Sequence, residues 1–192
     1  TIFPTPYTGL HEWTMSYAIK LDRNKDNQAV LSPDFYSRVT ADGALQMKVG
    51  ETDDPKAFAK TKLQPGKWYY IAWVYKNQHV RCYINGVLDN EFDVPKVETF
   101  TKLNMSWGAF EGYVREIRLY DKALTAFQVA DNLYIETPDN PDLLFYAPLD
   151  KKTGIKDVSK KQNTIKVYVP GSGDGTEYDQ SLITWSNEKF PE

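Results

Sequence analysis

Two acidic residues, Glu116 and Asp121, come closest in the sequence to a catalytic pair, within the segment EIRLYD. Two carboxyl groups about 5–5.5 Å apart can serve as acid and nucleophile in the cleavage of a glycosidic bond. In a strand that alternates regularly, residues five positions apart point to opposite faces. The spacing therefore predicts that Glu116 and Asp121 do not flank one bond, and no catalytic residue is assigned.

Glu116 also lies two residues before Arg118, on the strand face opposite Ile117 and Leu119. A carboxylate and a guanidinium at this spacing can form a structural ion pair or hold a neighbouring loop by hydrogen bonds. Alternatively, both side chains contact a ligand. The sequence leaves these two interpretations open.

One segment resembles the first half of a calcium loop, because Asp22, Asn24 and Asp26 place oxygen atoms at alternate positions. However, Asn27 stands where such a loop has glycine, and Pro33 stands where it has glutamate. A solvated turn is favoured, so the sequence predicts no resident cofactor and leaves calcium as a weak candidate.

The remaining reactive residue types do not form a site. His11 and His79 are the only histidines, and neither has a spacing to Ser, Cys or carboxylate that is typical of a triad or a zinc site. Cys82 is the only cysteine and alternates with apolar neighbours, which favours core packing. Lys and Arg total 23 against 26 Asp and Glu, a net charge of −3, so no basic field for nucleic acid is predicted.

The elements that would position these residues are mostly short strands. Residues 13–21 alternate between apolar and polar types, and residues 67–88 contain two aromatic and β-branched runs followed by Asn85-Gly86, a strong hairpin signal. Residues 105–110 and 113–120 predict two further strands. A single helix is predicted over 125–134, with Thr125 and Gln128 as a capping box.

This order of elements predicts an all-β fold, a two-sheet antiparallel sandwich with one short helix. The 192 residues are expected to form a single domain. Residues 142–192 are interpreted as a C-terminal extension that adds strands to the same sandwich, at 143–149, 164–169 and 182–185; the start of a truncated second module is the alternative. No apolar run approaches the roughly 18 residues of a transmembrane segment.

Two long motifs resemble a known family. They are GKWYYIAWVYKNQHVRCYINGVL at 66–88 and EGYVREIRLYDKALTAFQV at 111–129, and WTMSYAIKL at 13–21 supports them. All three are similar to motifs of laminin G-like domains of the concanavalin A-like lectin and glucanase superfamily. The segment at 143–167 is similar to that family's usual opening stretch, Asp-x-Ser-x-x-x-Asn included, but here it lies near the other end of the chain.

The resemblance implies a jelly-roll sandwich that works outside the cytoplasm, in adhesion or glycan binding. Glucanases of this superfamily carry Glu-x-Asp-x-Glu on one strand face, whereas Arg118 stands at the central position in this sequence. Secreted polysaccharide-utilisation lipoproteins of gut bacteria resemble the arrangement in which the C-terminal segment extends the same sandwich. We therefore expect a secreted or surface-anchored binding module, anchored through a part outside these residues.

A sugar site needs flat aromatic faces with polar groups around them. Trp107, flanked by small residues and close to Phe110, is the leading candidate, and Tyr36 after the Pro33-Asp34 break is a second loop candidate. Core packing is an equally valid interpretation of Trp107.

A weaker second site combines Arg81 and Tyr83, which should share a strand face, with Glu116 and Arg118, provided that the two strands pair. The expected ligand of either site is an oligosaccharide or polysaccharide. A surface protein as partner, or glycoside hydrolysis by unrecognised carboxylates, are the alternatives.

Overall fold

The structure is a computed structural model that describes residues 2–26, 28–33, 36–48, 58–105, 110–133, 138–167, 177, 179, 181 and 183–186. At 2–6, 28–33, 36, 48 and 101–105 the description covers the backbone alone. In this part of the chain, twelve strands and one helix form a two-layer sandwich, which confirms the predicted fold class.

Each layer is an antiparallel sheet of six strands. The first sheet has the order β1-β10-β3-β4-β5-β6, with bounds β1 Ile2–Tyr7, β10 Phe100–Met105, β3 Gln28–Pro33, β4 Tyr36–Val39, β5 Ala44–Lys48 and β6 Phe58–Lys62. The second sheet has the order β12-β11-β2-β7-β8-β9, with bounds β12 Leu143–Ala147, β11 Gly112–Tyr120, β2 Glu12–Leu21, β7 Trp68–Lys76, β8 His79–Ile84 and β9 Val87–Asp93.

The centre of the second sheet follows the predicted elements closely. The alternating segment at 13–21 lies within β2, and the two aromatic runs form β7 and β8. Asn85 and Gly86 have φ of 52° and 78°, the left-handed values that a tight hairpin of this type requires, and the chain returns as β9. These predictions are confirmed.

The main core lies between the two sheets and is rich in aromatic side chains. Trp13 stacks on Tyr75 with ring centroids 5.1 Å apart, and Phe100 meets the Trp13 ring edge-on at 5.3 Å. The indole Nε1 of Trp13 donates to the carbonyl of Val97 at 2.8 Å, so the connection between β9 and β10 is fixed to the core. Cys82 is fully buried in this cluster, in agreement with the packing role expected for it.

A buried hydrogen bond joins the two sheets through the core. The hydroxyl of Tyr17 in β2 lies 2.7 Å from the hydroxyl of Ser37 in β4, and both side chains are fully buried. Trp73 Nε1 approaches the same Tyr17 oxygen at 3.5 Å. Burial raises the pKa of Tyr17, so the phenol stays neutral and can act as both donor and acceptor.

The outer face of the second sheet carries a second apolar cluster under the helix. The helix α1, Ala126–Asp131, begins after Thr125, whose side chain accepts from the backbone N–H of Gln128, while the Gln128 side chain accepts from the N–H of Thr125. Val129 is buried against Tyr70 and Tyr120 of the sheet. The capping box is confirmed, and the described helix ends a few residues earlier than predicted.

Residues 143–163 add one edge to the second sheet. β12 pairs with β11, and Asp157 accepts hydrogen bonds from the backbone N–H groups of Tyr146, Ser159 and Asn163 at 2.7–2.9 Å. The Asp-x-Ser-x-x-x-Asn motif therefore closes the turn that follows β12. The division of the chain at residue 142 stays a prediction.

Three predicted strands differ from the structure. Residues 164–167 and 183–185, the described parts of two expected strands, carry no strand pairing. Ile165 instead packs onto the inter-sheet core from a loop, since apolar burial does not require a ladder partner. The strand expected at 105–110 has the wrong bounds: β10 ends at Met105, Phe110 lies outside any strand, and 106–109 lie outside the described residues.

No helix among the described residues combines the length and the apolar content needed to cross a bilayer.

The inter-sheet bond makes a testable contribution to stability. Tyr17→Phe leaves the Ser37 hydroxyl buried without its partner, so we expect the free energy of unfolding to fall by about 1–3 kcal/mol in urea denaturation. Ser37→Ala, made in the Tyr17→Phe background, should cost less than it does in the parent protein. Strictly additive losses would contradict the coupling.

Candidate functional site

A β-bulge interrupts β11 in the middle of the second sheet. Arg115 lies opposite Ala18 of β2, but Arg118 lies opposite Ser16, so two residues of β11 face one residue of β2. Glu116 has φ of 56°, the left-handed region that a non-glycine residue seldom adopts. The bulge therefore changes which side chains of β11 share a face.

The consequence appears on the N-terminal half of β11. Regular alternation would place Tyr113 and Arg115 on the same face as Ile117, which is buried between the sheets. Instead Val114 packs onto the inter-sheet core, and Arg115 lies opposite Ala18, a member of the outer-face cluster. Tyr113 and Arg115 thus join Arg118 on the outer face.

Glu116 and Arg118 form a structural network. The Glu116 carboxylate accepts from Arg118 Nη2 at 2.7 Å and from the Tyr146 hydroxyl at 2.8 Å. Arg118 Nη1 donates to the carbonyl of Asn132 at 2.8 Å, which ties the end of the helix to the sheet. The side chain of Arg118 is only 3% exposed, so these contacts support the structural interpretation of the pair.

The charges of this network are held together in a poorly solvated region. Burial opposes the charge of Arg118, but interactions with Tyr70, Tyr146 and Glu116 outweigh it and raise the pKa of Arg118. The guanidinium also lies 4.5 Å from the centroid of the Tyr146 ring. Burial raises the pKa of Tyr146, so its hydroxyl remains a donor to Glu116.

The second predicted site is not assembled as the sequence suggested. Two strands, β2 and β7, separate Arg81 and Tyr83 on β8 from Glu116 and Arg118 on β11. Tyr83 is 4% exposed under the helix, while Arg81 is exposed and pairs with Glu91 at 3.4 Å. The two strands do not pair, because β2 and β7 lie between β8 and β11 in the sheet.

Glu116 and Asp121 are also far apart along the strand. Glu116 lies at the bulge and Asp121 follows the end of β11, a separation that corresponds to roughly 16 Å of strand. Burial and the neighbouring Asp142 raise the pKa of Asp121. The separation exceeds the spacing of glycosidase carboxylates, about 5–9.5 Å.

The turn after β2 holds the acidic residues of the calcium candidate. Asp22 and Asp26 are exposed, and Asn24 Nδ2 donates to the carbonyl of Leu63 at 3.3 Å. The intervening cations Arg23 and Lys25 lie 2.6 and 3.6 Å from one carboxylate. That carboxylate belongs to Glu111, which lies just before β11 and joins the turn to this strand.

The loop candidates fall largely outside the description. Trp107 and the side chain of Tyr36 are not among the described residues. Phe110 is half-buried and packs onto the inter-sheet core, where only part of its ring can meet a ligand. Their proposed contact with sugar stays a prediction.

An aromatic and cationic group, which the sequence reasoning missed, lies on the outer face at the end of the second sheet where β2 ends. Lys20 lies between Trp68 on one side and Tyr113 on the other in the strand register. Lys20 Nζ is 5.2 Å from the Tyr113 centroid, and the Trp68 and Tyr113 rings are 6.3 Å apart, tilted by 50°. We call these three half-buried residues the Lys20 row.

Both faces of β7 are apolar, so alternation alone does not assign Trp68 to one face of the sheet. Its ring packs against the outer-face cluster of the second sheet and not between the sheets. A planar ring can stack on a sugar, and a neighbouring cation and phenol can hydrogen-bond the sugar hydroxyl groups.

A profile of the concanavalin A-like lectin/glucanases superfamily matches residues 2–130. The match covers more than half of the chain, so this protein belongs to that superfamily. This confirms the resemblance carried by the two long motifs. No curated protein matches the chain.

Several solved structures of differently named proteins are similar to this chain in fold. A proposed carbohydrate-binding protein of Bacteroides ovatus has 20% identity and a TM-score of 0.70, covering 84% of this chain and 53% of its own. A heptameric SAP-like pentraxin of Limulus polyphemus has 19% identity and a TM-score of 0.52, covering 67% of this chain and 72% of its own. The receptor-binding domain of a botulinum neurotoxin C/D mosaic has 13% identity and a TM-score of 0.51, covering 65% and 36%.

At these identities the likeness shows the fold. This chain spans about half the length of the Bacteroides ovatus protein.

The buried network predicts a large effect on stability. Arg118→Met leaves the Glu116 carboxylate in a poorly solvated position without its cation, so we expect a loss of about 3–5 kcal/mol in the free energy of unfolding. In Arg118→Met/Glu116→Gln, the loss should be smaller than the sum of the single losses. Arg81→Met, at an exposed ion pair, is the control and should change stability by less than about 1 kcal/mol. Equal effects at both arginines would contradict the structural role.

The surface group around His79 predicts a pH effect. Its hydrogen bond to Asp93, 2.8 Å from Nδ1, raises the pKa of His79, and Glu91 adds to the effect although burial opposes it. The folded state therefore gains stability from protonated His79 below the unfolded pKa of about 6.5, and loses it as pH rises through the folded pKa. Asp93→Asn should lower the His79 midpoint in an NMR titration. Asp139→Asn, an exposed carboxylate elsewhere, should leave it unchanged.

Proposed function

We propose that this chain is a non-catalytic carbohydrate-binding module whose sugar-contacting surface includes the Lys20 row. The observation that carries the proposal is the tilted pair Trp68 and Tyr113, with the Lys20 ammonium beside them on one sheet face. Such a group offers an aromatic surface to the C–H side of a pyranose ring and donors to its hydroxyl groups.

The surrounding structure supports this location. β2 ends, and β7 and β11 begin, at the same end of the second sheet, so the turn at 22–26 and Glu111 lie next to the row. The chain segment that carries Trp107 leads directly into Phe110 and Glu111. Phe110 and Glu111 therefore lie at the same end of the second sheet as the row.

The absence of catalysis is part of the proposal. Of the two acidic residues that come closest to a catalytic pair in the sequence, Glu116 is committed to Arg118 and Tyr146. A general acid or nucleophile must reach a glycosidic oxygen or carbon, and this network holds Glu116 away from such a role. An extracytoplasmic location and a surface-exposed polysaccharide as ligand fit a module of this kind.

The proposal predicts that replacing either aromatic residue of the Lys20 row with alanine weakens saccharide binding. Trp68→Ala and Tyr113→Ala should each weaken the affinity for a saccharide found on a glycan array by at least about 10-fold, because a stacked ring contributes roughly 0.5–1.5 kcal/mol beyond the area that it buries, and about 1.4 kcal/mol is tenfold in affinity. Isothermal titration calorimetry measures the change, with calcium or with a chelator present, which also tests the turn at 22–26.

The matched control is Phe127→Ala, which removes an aromatic ring that is 76% exposed on the helix. It should leave saccharide affinity unchanged. The proposal is refuted if no saccharide binds under either calcium condition while a defined protein partner is recovered. Release of reducing sugar that Glu116→Gln abolishes would refute the non-catalytic part.

A further inference from the structure

Arg115 lies next to the Lys20 row on the same face of the second sheet. It points to the outer face of β11, opposite Ala18 and two residues after Tyr113. Its Nε is buried, and this atom has no hydrogen-bond partner within the described part of the chain. A partly buried arginine lowers the stability of the fold unless an anion pairs with it, because the cation has lost part of its hydration.

The nearby acidic groups are already used by other cations. Glu116, the next residue, gives its carboxylate to Arg118 and Tyr146. Glu111, at the start of the strand, pairs with Arg23 at 2.6 Å and stands 3.6 Å from Lys25. Neither of these two carboxylates therefore forms an ion pair with Arg115 among the described residues.

The geometry of the sheet brings Arg115 near the row. Lys20 lies opposite Tyr113, so Arg115 is its diagonal neighbour across the strand pair. Diagonal side chains of this kind have Cβ atoms roughly 7–8 Å apart. Two cations at that spacing, with Tyr113 and Trp68 beside them, can contact one charged substituent while an aromatic ring supports the sugar that bears it.

We propose that this end of the second sheet binds an acidic saccharide, with a sugar carboxylate or sulfate held by the Arg115 guanidinium and Lys20 supporting the same charge. The inference rests on the proposed function and adds the ligand class. A planar guanidinium binds carboxylate and sulfate oxygens in a two-pronged manner that an ammonium does not match.

The test compares four probes by calorimetry at two salt concentrations. They are an oligogalacturonate, its methyl ester, a sulfated heparin-derived oligosaccharide and poly-L-glutamate. We expect one of the two acidic saccharides to bind at least 10-fold more tightly than the neutral ester, with affinity that falls as salt increases. Whether the first or the third probe binds distinguishes carboxylate from sulfate.

The variant Arg115→Gln should weaken binding of the acidic saccharide roughly 10- to 100-fold and reduce its salt dependence, because a charge-assisted hydrogen bond is lost. Arg115→Lys keeps the charge and should retain most of that salt dependence. Lys152→Gln, which removes one exposed cation elsewhere, is the control and should change neither quantity. Unfolding midpoints close to that of the parent protein show that the variants fold.

The outcomes separate this inference from the proposed function. Tight binding of neutral saccharides that Trp68→Ala abolishes and Arg115→Gln does not change would overturn the acidic class and leave carbohydrate binding intact. Poly-L-glutamate binding as tightly as the acidic saccharides would also overturn the inference, since the surface would then recognise charge alone. Failure of every saccharide, neutral and acidic, would overturn both.

Discussion

The β-bulge at Glu116 determines how the outer face of the second sheet is used. One extra residue in β11 turns Tyr113 and Arg115 outward while keeping Ile117 and Leu119 in the core. The positive φ of Glu116 has a compensating interaction, because its carboxylate is fixed by Arg118 and Tyr146. Arg118 also holds the end of the helix through the carbonyl of Asn132, so the bulge beside the Lys20 row and the helix that covers the sheet share one network.

The two ends of this face consequently have different roles. Toward the end of β11, the helix and the turn after it cover Tyr83, Tyr120 and Tyr146, and the surface is an internal interface. At the beginning of β11, Trp68 and Tyr113 remain half-buried and have cations beside them. A single sheet face can therefore supply both an anchor for the helix and a surface for a ligand.

Much of the fold could be predicted from the sequence because the signals were local. The alternation of β2, the Asn85-Gly86 turn and the capping box at Thr125 each depend on a few neighbouring residues, and all three are confirmed. The candidate site was harder to predict, because a bulge has no reliable sequence signature and reverses the sheet face of every strand residue before it. Trp68 could not be placed on a face for a related reason: β7 is apolar on both faces, so period-two alternation does not distinguish them.

The position of β12 has a consequence for how the sheet assembles. β12 pairs with β11, the strand that precedes it in the chain. Ile117 pairs with Ala147, and the two residues are only thirty positions apart in the sequence. An edge built from nearby sequence closes a short loop, at a lower entropic cost than a pairing between distant parts of the chain. The helix and both strands can therefore close as one local unit that the turn around Asp157 completes, and the hairpins β7-β8 and β8-β9 close still shorter loops.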